Sequence, residues 1–182
     1  ILPTSSLKLT TTVQDDQFPG FPLSLGWSLV AGPGLVSFTD PTNPVSAYGE
    51  SKRAGEQRAL ACCENTLVVR TAWLYGLHGR NFVKTMLQLA SERPCLKVVA
   101  DPRGCPTFSG DLAGMIGKLL AHPAQGVLHV TNAGNCTWHE FATEIVRLSG
   151  RPVPVEAITT ADMPRPAKRP AYSVLSADRL HH

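Results

Sequence analysis

Tyr48-Gly-Glu-Ser-Lys52 sets a phenol and an ammonium four residues apart. On a helix, residues at that spacing share one face. A phenol with an ordinary pKa near 10 exchanges protons poorly at neutral pH. A cation within about 4–6 Å favours its anion and can lower that value by roughly 1–3 units. Such a phenol can deliver a proton to a carbonyl oxygen while a hydride reaches the carbon. Tyr-x-x-x-Lys spacing also occurs on ordinary helix surfaces, so the chemistry depends on the elements that hold the pair.

Those elements are legible from Asp40 onward. Asn43 before Pro44 supplies a helix N-cap and a first-turn proline ahead of SAYGESKRAGEQRALACC. The pair therefore falls in the first turns of a capped helix. The run LVVRTAWLY, residues 67 to 75, is apolar and β-branched at its start and predicts one buried parallel strand. Phe82, Val83, Met86, Leu87, Leu89 and Ala90 recur at helical spacing within residues 81 to 92, and Pro94 stops that helix. A second strand is expected at 96–100, a helix at 111–121 and a third strand at 126–132. Thr137 with Glu140 forms a capping box for HEFATEIVRLSG, which Gly150 ends. Alternating strands and helices at this spacing predict an α/β fold. The last thirty or so residues are proline-punctuated and read as mostly extended, and residues 1–39 carry few charges and no clean period.

Composition narrows the function classes. The 182 residues are 43% hydrophobic and 17% charged, enough to build a globular core. A net charge of +3 is too small a surplus to argue for nucleic acid. No apolar run approaches the roughly 20 residues that cross a bilayer, so no membrane partner is expected. The five cysteines, Cys62, Cys63, Cys95, Cys105 and Cys136, form no C-x-x-C pair. Reduced thiols in a cytoplasmic setting explain them better than disulfides or zinc. His129 and His139 have no metal-ligand spacing, so no metal site is expected.

Six ordered blocks make the reading more specific: NPVSAYGESKRAGE, VVRTAWLYG, GRNFVKTMLQLASER, DPRGCPT, TWHEFATEIV and PRPAKRPAYSVLSADRL. Over about residues 40 to 180 they resemble the dTDP-4-dehydrorhamnose reductases, extended short-chain dehydrogenases/reductases. The resemblance implies a Rossmann-like, doubly wound parallel sheet with a small C-terminal substrate-binding part. Here that sheet is expected to be incomplete, with residues 1–39 as an atypical segment and 40–182 as the matching part. It implies NADPH-dependent reduction of a dTDP-4-dehydro sugar. Tyr48 would be the general acid, and Lys52 would tune it and hold the nicotinamide ribose, so both would also touch the cofactor. Trp73 would face the sugar, although a strand-end tryptophan also suits a core. Asn81 and Phe82 would approach the nucleotide diphosphate, where a helix N-terminus suits an anion, although Asn81 also suits a plain N-cap. Arg169, with Arg165 and Lys168 nearby, would meet the diphosphate through charge-assisted hydrogen bonds, although such loops are commonly just solvated. Magnesium and a homodimer are compatible with the family, but no residue pattern here specifies either.

Three departures qualify the resemblance. Pro102 stands where the family's D-Q-x-G-x-P-T loop has glutamine. The glycine-rich strand-turn-helix that seats a dinucleotide has only Gly32-Pro33-Gly34 as its nearest string, with Ser37 in place of the third glycine. Ser24 and Ser28 lack the neighbours expected of a serine that orients the substrate carbonyl. The expectation is therefore a chain truncated at its N-terminus and inactive as a reductase on its own. The competing expectation is a non-catalytic binding protein on the same scaffold, similar to the regulatory β subunit of methionine adenosyltransferase.

Overall fold

The structure, a computed structural model, describes residues 8–13, 23–28, 35–38, 47–122, 124–164 and 170–176. Strands β1 (Lys8–Val13) and β2 (Leu23–Ser28) pair antiparallel, with Lys8 opposite Ser28. Strand β3 (Leu35–Phe38) then enters a three-stranded sheet in the order β3-β4-β9, where β4 is Leu67–Arg70 and β9 is Gly126–His129. Both of its pairings are parallel, and Leu67 lies between Leu35 and Gly126. Parallel neighbours require crossovers. Helix α1 (Ala47–Cys62) fills the first and helix α3 (Ser109–Ala121) lies within the second.

The expected single strand over 67–75 is two. β4 ends at Arg70, and β5 (Leu74–Tyr75) leaves it to pair in parallel with β8 (Thr107–Phe108). The break falls at Trp73, whose φ of +46° puts a non-glycine residue in the left-handed region. Such a conformation costs of order 1–3 kcal/mol and is kept only where the surroundings impose it. A continuous apolar run conceals the turn because the residues on both sides are suited to strands.

The rest follows the sequence pattern closely. Helix α2 (Phe82–Glu92) starts at the Asn81 cap, and β6 (Leu96–Val99) pairs in parallel with β11 (Val155–Ile158). The two-residue β7 (Arg103–Gly104) pairs antiparallel with β10 (Cys136–Thr137). Helix α4 (Trp138–Leu148) begins on the Thr137–Glu140 capping box, and Gly150 beyond it has φ +70°. Two apolar cores result. Leu67 and Val69 of β4, Leu128 of β9 and Leu112 of α3 form one. Met86 and Ala90 of α2, Leu96 and Val98 of β6, and Ala142, Ile145 and Val146 of α4 form the other. Among the described residues no helix is long and apolar enough to cross a membrane.

Candidate active site

Helix α1 presents Tyr48, Lys52 and Glu56 on one stripe, each four residues beyond the last. The Lys52 ammonium lies over the Tyr48 ring, 5.2 Å from its centroid, so the sequence-expected pair is in contact range. The Tyr48 side of the stripe is open, with the residue 45% exposed. One turn on, the Ser51 hydroxyl donates to the Tyr48 carbonyl at 2.7 Å.

The other end of the stripe is sealed. Glu56 and Arg70 are each 4% exposed, and Arg70 grips both carboxylate oxygens: Nε donates to Oε1 at 2.7 Å and a second guanidinium nitrogen donates to Oε2. This bidentate geometry is the strong, orientation-fixing form of an ion pair. It pins α1 to the carboxyl end of β4, where the Val130 amide also donates to the Arg70 carbonyl at 2.8 Å. Thr71 follows. Its hydroxyl oxygen is buried and has no hydrogen-bond partner among the described residues. In open α/β sheets ligands bind beyond the carboxyl ends of the strands. An exposed phenol beside an ammonium, anchored to such a strand end, suits the reacting end of a nicotinamide cofactor. Gly32-Pro33-Gly34 lies outside the described residues.

Trp73 and Phe82 come together at α4, and Asn81 precedes Phe82 at the start of α2. The Trp73 and Trp138 rings stack with centroids 3.5 Å apart and planes within 10°. Gly104 lies against the other side of the stack's environment: a β-carbon there would overlap the Trp73 indole. Phe82 packs on Trp138 at 4.5 Å and on Phe141 at 5.5 Å, and Tyr75 reaches Phe141 at 5.5 Å. Asn81 has both ends of its amide engaged. Its oxygen accepts from the Lys84 amide at 3.1 Å, and its nitrogen donates to the Gly76 carbonyl at 2.8 Å. In this arrangement Asn81 caps α2, and the Trp73 and Phe82 rings both contact Trp138.

The DPRGCPT loop is tied on three sides. The Arg103 guanidinium donates to Asn135 at 2.9 Å and approaches Glu140 at 3.6 Å. Its backbone accepts from Ser173 at 2.9 Å and donates to Ala171 at 3.0 Å. Asp101 accepts from the Thr160 amide at 2.9 Å. The Thr137 amide holds the Glu140 carboxyl below its ordinary range, helped by the nearby Arg103. Burial, with the Glu140 charge second, pushes the Cys136 thiol up. Arg165, Lys168 and Arg169 lie outside the described residues. His129 and His139 each bond a backbone carbonyl, of Ser176 at 2.9 Å and of Val155 at 3.0 Å. Among the described residues no group of three or more His, Cys, Asp or Glu could hold a metal ion.

Residues 33–182 match the family described as the RmlD substrate binding domain. The chain belongs to that family. A probable dTDP-4,6-dihydroxy-2-methyloxan-3-one 4-ketoreductase of Streptomyces antibioticus is 50% identical over 141 residues, which cover 76% of this chain and 48% of the relative. A dTDP-4-dehydrorhamnose reductase of Burkholderia thailandensis is 42% identical over 160 residues, covering 78% and 53%. The crystal structure of the Bacillus anthracis dTDP-4-dehydrorhamnose reductase, in complex with NADP, superimposes with a TM-score of 0.75 at 38% identity, over 81% of this chain and 57% of that one. The chain thus spans about half the length of the curated relatives it matches.

Within this RmlD-family chain, residue-by-residue reading passed over Glu56, Arg70 and Thr71. Two signals were available. Glu56 continues the Tyr48–Lys52 stripe by one more step of four, and Arg70 is a charge in the otherwise apolar strand LVVR. Buried charges in such strands are paired, so each residue calls for a partner that only the fold supplies.

Proposed function

We propose that this chain carries the proton-donating and sugar-nucleotide-binding part of an NADPH-dependent reductase acting on a dTDP-4-dehydro-6-deoxy sugar, with dTDP-4-dehydro-L-rhamnose as the substrate and dTDP-L-rhamnose as the product. The observation that carries this reading is the Lys52 ammonium over the Tyr48 ring on a helix anchored to the carboxyl end of a parallel strand. The family membership and the dTDP-sugar activities in the relatives' names support it.

NADPH, when bound, supplies the hydride. The chain's own residues do the rest. The Tyr48 hydroxyl donates its proton to the sugar's C4 carbonyl oxygen as the oxyanion develops. Lys52 stabilises the resulting phenolate and offers N–H groups to the ribose hydroxyls. Arg169 is assigned to the diphosphate, where a guanidinium forms the stronger, charge-assisted kind of hydrogen bond. The 182 residues contain no G-x-G-x-x-G string. On their own they are expected to oxidise no NADPH in the presence of the keto sugar.

A chimera tests the chemistry. Residues 47–176 are placed in the Bacillus anthracis reductase in exchange for its matching segment. The chimera should oxidise NADPH with dTDP-4-dehydrorhamnose, and Tyr48→Phe in it should lower kcat by about 10²-fold or more, the usual size of an acid–base contribution. An active chimera indifferent to Tyr48→Phe would overturn the assignment.

A further inference from the structure

Helical side chains lean toward the N-terminus of their own helix, over the preceding turn. Lys52 accordingly reaches back over Tyr48. Glu56 stands one step of four beyond Lys52, and residues spaced i, i+4 with opposite charge attract each other. A carboxylate is the stronger partner for an ammonium than an aromatic face, so the stripe contains a competitor to its own reacting pair. In the structure that competitor is occupied, because Arg70 takes both Glu56 oxygens from the strand side. The Arg70 and Glu56 side chains are each 5% exposed, so water offers that pair little screening.

We infer that Arg70 is a positioning residue: by holding Glu56 bidentately it keeps that carboxylate off Lys52 and so leaves the ammonium directed at the Tyr48 phenol. The inference rests on the proposed function only in treating Tyr48 and Lys52 as the reacting pair. Its test reads the chain's own geometry, so the two can fail separately.

The readout is the ring-current displacement of the Lys52 ε-methylene resonances by the Tyr48 ring, measured by NMR on the full chain against a Tyr48→Leu reference. In the parent chain those resonances should lie upfield of the reference. Arg70→Met should lose most of the displacement, as Lys52 turns to the released Glu56. Glu56→Gln should keep it, and the double variant Arg70→Met/Glu56→Gln should regain it. A purely structural role for Arg70 predicts no such recovery in a double variant whose amide spectrum matches that of a folded Arg70→Met. Where Arg70→Met loses its amide dispersion, Arg70→Lys carries the comparison. Its single amine covers one carboxylate oxygen and should cost part of the displacement. Full displacement in Arg70→Met, or in Arg70→Lys where that stands in, would overturn the inference. So would a folded double variant that fails to recover it.

Discussion

Thr71 has a buried hydroxyl with no hydrogen-bond partner among the described residues, set between the Arg70 clamp and the left-handed Trp73. A polar group left unsatisfied away from water costs about 1–3 kcal/mol. Thr71→Val keeps the shape and removes the group. The variant should therefore be more stable by about 1 kcal/mol, seen as a higher denaturant midpoint with an unchanged m-value. A lower midpoint would mean that the hydroxyl is satisfied in solution. The proposed reacting pair was legible in the sequence, because Tyr48 and Lys52 meet through local helical geometry alone. Thr71 was not, since its burial is decided by elements distant in sequence.

Helix α4 shows what a cap contributes at the scale of an element. The Thr137 hydroxyl accepts from the Glu140 amide at 3.1 Å, and the Glu140 carboxylate accepts from the Thr137 amide at 2.7 Å. That amide is the main reason the Glu140 carboxyl titrates below its usual value of 4.5. A carboxyl whose folded value is depressed adds stability that is fully present above its unfolded value. That stability is lost as pH falls through the folded one. Denaturant titrations between pH 7 and pH 2 should show this loss below about pH 4.5, and Glu140→Gln should flatten it. An identical acid slope in the variant would contradict the assignment. Both this cap and helix α2 were readable beforehand, because caps and 3.6-residue periodicity are written in adjacent residues. The split between β4 and β5 was not, because the turn at Trp73 is imposed by the ring's seat against Trp138 and Gly104. The Glu56–Arg70 link was hidden for a similar reason: it joins two elements, and neither residue specifies the other.

Across the whole molecule, aromatic side chains tie the segment after β4 to the core around α4. Trp73, which follows β4, stacks on Trp138 of α4, and Tyr75 of β5 touches both Phe108 and Phe141. Arg103 joins the same region to Ala171 and Ser173, shortly after Arg169 in sequence, the residue proposed for the diphosphate. The α/β class with parallel strand pairs was foreseeable from the alternation of elements. The aromatic cluster at α4 was not, since it depends on which aromatic residues the turns bring face to face. The proposed function requires this chain to hold a dTDP-linked sugar. Isothermal titration of dTDP into the full chain tests it most directly. Saturable binding is predicted, with Arg169→Ala about tenfold weaker, as expected for the loss of about 1.4 kcal/mol from one charge-assisted contact. A titration with no saturable heat at any dTDP concentration up to the millimolar range would contradict it.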